Sequence, residues 1–189
     1  MSNIDFLLSR RSIKLVQGPG PDERQLDLIL RAAMCAPDHG RLQPWRFKLI
    51  RGANVQALGE LAIAASERAG TPLPEQKIAG VRAWLEKVPL LIAVACHIDH
   101  SNQKIPETER LLATGAAVTN MLNAAHQLGF GAFWSTGLGT YVEEVPETLG
   151  FDALDYHFMG FVSIGTPIHA LDLPQRPEPA GFVSEWQAG

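Results

Sequence analysis

Residues 89–97, PLLIAVACH, set seven consecutive apolar side chains between a proline and a histidine. Seven is far short of the ~20 residues that span a bilayer, so the run reads as a strand buried in a core. The chain has enough material to build that core: 189 residues, 46% of them hydrophobic. We therefore expect a single domain over residues 1–189, with residues 170–189 as a C-terminal tail.

Helical spacing recurs on both sides of the buried run. Ser2 with Asp5 resembles a capping box, and Ile4, Leu7 and Leu8 give a short first helix ending near Arg10. Gly18, Pro19, Gly20 and Pro21 break the chain, Asp22 can cap a second helix, and Leu26, Ile29, Leu30 and Ala33 repeat at helical spacing until Pro37. Trp45, Phe47 and Leu49 alternate with Arg46 and Lys48 as in a strand, whereas Val55, Leu58, Leu61 and Ala62 return to a helix over 55–69. A long helix over about 106–128, with Gly115, Ala116, Thr119 and Ala125 among its small residues, leaves little polar surface and belongs in a core or a subunit interface. FGAFWSTG (130–137) reads as a strand entering a turn, and HFMGFVSIG (157–165) as the last strand.

Strands separated by helices imply a mixed α+β fold. No βαβ unit opens with GxGxxG, so a dinucleotide-binding Rossmann fold would lack its phosphate loop. The tail, PQRPEPAGFVSEW (174–186), is Pro-rich enough to be disordered, but Phe182, Val183 and Trp186 argue that it docks on something.

Charge and cysteine usage narrow the function classes. The net charge is −4, and Lys and Arg are scattered without a basic block, which disfavours nucleic acid as a partner. The first residues, MSNIDFLLSRRSIK, mix acid and base around a short apolar run, unlike a signal peptide, and no stretch suits a membrane. Cys35 and Cys96 lie far apart without metal-ligand spacing, so neither a disulfide framework nor a zinc site is indicated and a reducing cytoplasm is the expected location.

Three segments could carry chemistry. Arg10-Arg11-Ser12-Ile13-Lys14 puts three cations and a hydroxyl beside a helix end, a set that suits a phosphate dianion through charge-assisted hydrogen bonds. Taken alone, these residues read more readily as solvated charges favoured by the helix macrodipole. APDHGRLQPWRF (36–47) is a helix stop, a polar loop and the start of a strand, a place where loops often carry function. Asp38 beside His39 invites a dyad and Cys35 a Cys/His nucleophile, but Pro37 breaks the register that would stack Cys35 on His39. His97, Asp99 and His100 resemble a metal cluster only loosely, and surface histidines are the default there.

The ordered set R-x-S-x-K, APDH with QPW four residues on, GFGAFW, and Gly165-x-Pro167 resembles the nitroreductase superfamily, in its short YdjA-like branch, over about residues 4–168. The resemblance implies a central, mainly antiparallel sheet flanked by helices, an interlocked homodimer, and two FMN sites at the subunit interface. It implies that Arg10 and Ser12, with Arg11 beside them, hold the FMN phosphate and ribityl end, and that Lys14 lies near the pyrimidine edge of the flavin. It implies further that the loop around His39 reaches the partner's FMN, and that Trp134, Ser135 and Thr136 form the turn whose backbone approaches flavin N5. Position 35, where this branch often has Arg, is Cys35, and Arg41 is a candidate substitute. Residues 124–129 match the helix end proposed to meet the nicotinamide dinucleotide, and Arg176 falls where relatives bring a late basic residue to the phosphate.

The function so implied is an FMN-dependent NAD(P)H oxidoreductase that reduces small electron-poor acceptors, nitroaromatics and quinones, by ping-pong hydride transfer. No side chain need be a covalent nucleophile, since the cofactor carries the electron chemistry. Two alternatives stand beside it: a non-catalytic flavin carrier or sensor, and an interaction domain that keeps the fold without the site.

Overall fold

The computed structural model describes residues 3–102, 104–170 and 172–188. Its strands are β1 (Val16–Gln17), β2 (Trp45–Arg51), β3 (Leu90–His97), β4 (Gly131–Ser135) and β5 (Tyr156–Pro167). Its helices are α1 (Asn3–Ser9), α2 (Glu23–Met34), α3 (Ala53–Arg68), α4 (Glu75–Leu85), α5 (Glu107–Gln127) and α6 (Glu144–Thr148). The sheet runs β1-β5-β3-β2, with β4 also paired to β5, and every pairing among the described residues is antiparallel.

The apolar run 90–96 is the middle of this sheet, and its alternation explains why it has no polar face. Leu90, Ile92 and Val94 point into a core built with Leu26 and Ile29 of α2 and Ala117, Val118 and Met121 of α5. Leu91, Ala93 and Ala95 point the other way, onto Val55 and Leu58 of α3, Leu85 of α4 and Val145 of α6. Helices therefore cover both faces of the sheet, as expected of the α+β fold.

The local signals for α2 hold in detail. Asp22 Oδ1 accepts the Gln25 N–H at 2.7 Å and Gln25 Oε1 accepts the Asp22 N–H at 3.0 Å, a reciprocal capping box that satisfies the helix's first donors. The box expected at Ser2 lies outside the described residues. In α5 the small side chains Ala113, Ala117 and Ala125 are buried, which lets the helix lie close against the sheet.

In two places the structure departs from the sequence reading. In β2, Ile50 is buried and Leu49 is exposed, because β2 is an edge strand: Trp45 and Phe47 pack on the α2–α5 side, and Ile50 alone is sheltered on the α3 side. Over residues 70–88, where the sequence suggested no element, the chain forms α4. Only Leu85 of that helix is buried, so α4 has no apolar stripe of the kind that betrays a core helix. Among the described residues no helix is long and apolar enough to cross a membrane.

Candidate functional site

Two glycines set the position of β4, one against the segment before β1 and one against β5. Ile13 packs onto Gly131, where any Cβ would sit 2.9 Å from the Ile13 methyl, and the Ile13 N–H donates to the Ala132 carbonyl at 2.9 Å. At the other end of β4, Gly160 of β5 has φ +94°, and a Cβ there would lie 2.3 Å from the Ser135 carbonyl oxygen. Gly160 marks a bulge opposite Val94 and Ala95, which lets the turn after β4 settle directly on β5.

That turn and residue 14 face a cavity of about 490 Å³. Lys14, Ser135 and Thr136 line it from the sheet side, Ala62 and Ile63 from α3, and Lys77, Val81 and Trp84 from α4. The walls are largely apolar with cations at Lys14 and Lys77, a combination suited to a flat, electron-accepting ring that gains charge. Ser135 Oγ accepts the Gly137 N–H at 3.0 Å and Thr140 Oγ1 donates to the Gly137 carbonyl at 2.6 Å, so the turn is braced from within. Lys14 is held by Trp84, whose Nε1–H donates to the Lys14 carbonyl at 3.0 Å and whose ring lies 5.2 Å from the Lys14 ammonium.

Three of the residues singled out from sequence, Lys14, Ser135 and Thr136, thus share one cavity. The Trp134 side chain does not join them. It alternates to the opposite face, where its Nε1–H donates to the Met159 carbonyl at 2.8 Å and its ring packs on the α2–α5 core.

Arg10, Arg11 and Ser12 follow α1 and meet the end of α5 and the tail. Arg11 lines a groove of about 520 Å³ with Ser9, His126 and His169, and its Nη1 donates to the Asp172 carbonyl at 2.8 Å. The Arg176 guanidinium donates to the Arg10 carbonyl, so the late basic residue does meet this segment. His126 Nε2 pairs with Ser9 Oγ at 2.9 Å, and burial, followed by the charge of Arg10, holds its imidazole below the ordinary histidine value. Burial of His126 works against a charge there, so the cationic character of this corner comes from its arginines. Ser12 is exposed. Elsewhere in segment 124–129, Ala124 and Leu128 pack on the core.

Within one chain His39 lines neither the cavity nor the groove. It sits in a short 3₁₀ turn with its Nδ1 2.6 Å from Glu109 Oε2 of α5, both side chains exposed, while Asp38 Oδ2 accepts the Gln43 N–H at 2.6 Å. Cys35 Sγ contacts the Arg31 carbonyl of its own helix at 3.4 Å, so no Cys35–His39 pair forms. Arg41 has φ +54° in the same turn. Asp99 is held below the usual carboxylate range by the hydroxyl and N–H of Ser101, and His100 Nε2 meets the Leu154 carbonyl at 2.8 Å.

The residues that sequence reasoning missed are those of α4, Trp84 above all. A lone tryptophan in an unassigned stretch carried no signal, since its role depends on which strand α4 packs over.

A family model described as the Nitroreductase family matches residues 7–166. Several curated relatives carry the name "Putative NAD(P)H nitroreductase". YdjA of Escherichia coli (strain K12) is 34% identical over 185 residues, 97% of this chain and 99% of the relative. The protein of Haemophilus influenzae is 31% identical over 166 residues, 88% and 89% of the two chains. Among solved structures, a nitroreductase-like family protein from Bacillus cereus superposes with a TM-score of 0.82 at 21% identity, covering 100% of this chain and 97% of the other. A "putative nitroreductase in complex with FMN" from Desulfovibrio desulfuricans superposes with a TM-score of 0.75 at 23% identity, covering 100% and 99%. At such identities the superpositions establish the fold.

Proposed function

This chain belongs to the nitroreductase family, and from that premise we propose that it is an FMN-dependent oxidoreductase, taking hydride from NAD(P)H and passing it by ping-pong exchange to a small electron-poor acceptor such as a nitroaromatic or a quinone. The observation that carries the reading is the meeting of Lys14, Ser135 and Thr136 around one apolar-walled cavity, with Arg10, Arg11 and Arg176 gathered at the other end of the same five-residue segment. A cavity of about 490 Å³ lies within the usual size of a cofactor pocket, and a segment with an ammonium at that cavity and guanidinium groups at its other end, beside a second groove, suits a ring joined to a phosphate.

Bound FMN supplies the two-electron chemistry. Lys14 would place positive charge at the pyrimidine edge, where reduction builds negative charge, and so favour the reduced form. Arg10 and Ser12, with Arg11 and Arg176, would hold the phosphate through charge-assisted hydrogen bonds. The braced backbone of Ser135 and Thr136 would orient the reacting edge of the ring, and the apolar walls from α3 and α4 would exclude water from it.

The proposal includes a cytoplasmic homodimer of single-domain chains, with the two sites at the subunit interface and the His39 loop completing the partner's site. The surface supports that arrangement. In one chain Ile4, Leu7 and Leu8 of α1, and Phe182, Val183 and Trp186 of the tail, are all at least half exposed, apolar surface that a second chain would cover. Sedimentation is expected to give a dimer, and a monomer that still binds FMN stoichiometrically would overturn the shared site.

The direct test of function is the purified protein itself. It is expected to be yellow with the absorption bands of oxidised flavin, and to oxidise NADH or NADPH when a quinone or nitroaromatic is added. A colourless protein that takes up no FMN overturns the flavin reading. A flavin-loaded protein with no acceptor-dependent NAD(P)H oxidation overturns the enzyme and leaves a carrier.

A further inference from the structure

We propose that Trp84 is the positioning residue for Lys14, fixing the ammonium at the wall of the cavity without neutralising it. The proposal rests on the FMN reading for its consequence but not for the contact itself. Trp84 takes hold of Lys14 at both ends: its indole N–H donates to the backbone carbonyl at 3.0 Å, and its ring face lies 5.2 Å from the ammonium. The latter distance is inside the ~6 Å over which a ring quadrupole attracts a cation.

The choice of partner matters chemically. A lysine ammonium on a flexible four-carbon stem has no fixed place unless something holds it. The usual holder is a carboxylate, and the ion pairs of the described residues include none to Lys14. A carboxylate would cancel the positive charge that a reduced flavin needs beside it, whereas an aromatic face attracts the ammonium and leaves its full charge in the cavity.

Trp84 also stands in the last turn of α4, whose Lys77, Gly80 and Val81 wall the same cavity. Its N–H therefore ties one wall of the cavity to another, since α4 and the segment before β1 are otherwise separate elements. The Lys14 carbonyl accepts a second bond, from the Val16 N–H at 3.1 Å, which carries the constraint directly into β1.

The test uses full-length chains and two readouts. First, the ratio of reduced- to oxidised-FMN affinity, obtained from the reduction potential of the bound flavin, is expected to fall about three- to tenfold in Trp84→Leu. Trp84→Phe, which keeps a ring and loses the N–H, is expected to recover part of the loss. Lys14→Met is expected to lower the ratio by itself, and adding Trp84→Leu to it should change little more, because the tryptophan acts through the lysine. Additive losses in the double variant, or an unchanged ratio in FMN-loaded Trp84→Leu, would overturn the proposal.

Second, in the flavin-free chain with ¹³C-methylated lysines, the Lys14 methyl resonance is expected upfield of the other lysines and is expected to return to their position in Trp84→Leu. A Lys14 resonance that is not displaced overturns the contact whatever the flavin does. Failure of the wild-type chain to bind FMN is a separate result that strikes the function alone, with the resonance still deciding Trp84.

Discussion

Gly160→Ala is expected to lower the thermal midpoint by about 6–12 °C and to weaken FMN binding, although one methyl group is the whole change. The new Cβ would lie 2.3 Å from the Ser135 carbonyl oxygen and 3.3 Å from Thr136 Cα, both backbone atoms that no rotamer change can move. The residue would also keep φ +94°, a conformation L side chains rarely adopt. Strain at such a position and overpacking of this kind together cost ~3 kcal/mol, and for a chain of this length each 1 kcal/mol is worth about 2–4 °C.

Gly129 supplies the control. It has φ +87° after α5 but nothing within 4 Å of its added Cβ, so Gly129→Ala carries the backbone strain without the collision. It is expected to cost ~1 kcal/mol, about 2–4 °C, and to leave FMN affinity unchanged. Thermal melting and FMN titration of the two variants check the difference. Equal losses in both properties would mean that the close approach of β5 to Ser135 and Thr136 does not shape the site.

Gly160 also illustrates which parts of the molecule were legible in the sequence. HFMGFVSIG announced a strand through its apolar residues, but the glycine within it could signal a close approach only once its neighbour was known, and that neighbour is Ser135 of β4, in a separate stretch of sequence. Element existence was legible where periodicity and burial coincide, as in α2, α5 and the run 90–96. It was not legible in α4, where Val81 and Trp84 divide their surface between the core edge and a cavity and only Leu85 is buried.

The same distinction applies to the site. Lys14, Ser135 and Thr136 could be named because the order of the motifs along the chain pointed to them. The Trp134 side chain points the other way simply because neighbours in a strand alternate, a fact available from the sequence once β4 is drawn through both residues. Arg176 lies beyond residues 7–166, the stretch that the family model matches, yet the structure sets its guanidinium on the Arg10 carbonyl. Contacts between segments so far apart in sequence leave no periodic trace.

Arg10→Ala is expected to weaken FMN about ten- to several-hundredfold while changing riboflavin affinity less than about threefold. The two ligands share the ring and differ in the phosphate, so the ratio of their losses cancels any general loosening of the fold. Removing one member of a buried charge pair costs ~3–5 kcal/mol and of an exposed pair ~1 kcal/mol, with each ~1.4 kcal/mol a factor of ten in affinity. Arg10 is half-buried, which sets the expectation between those limits. Arg11 does not compensate fully, because its Nη1 is engaged by the Asp172 carbonyl, and Arg176 docks on the very backbone that Arg10 supplies. Nor does His126 take over: burial is the larger of the two causes that lower its pKa, and loss of Arg10 relieves only the smaller. Titration of flavin-free protein with both ligands, wild type against variant, decides the matter. Equal losses for FMN and riboflavin would mean that Arg10 does not hold the phosphate, and R-x-S-x-K would then be a set of solvated charges at the end of α1.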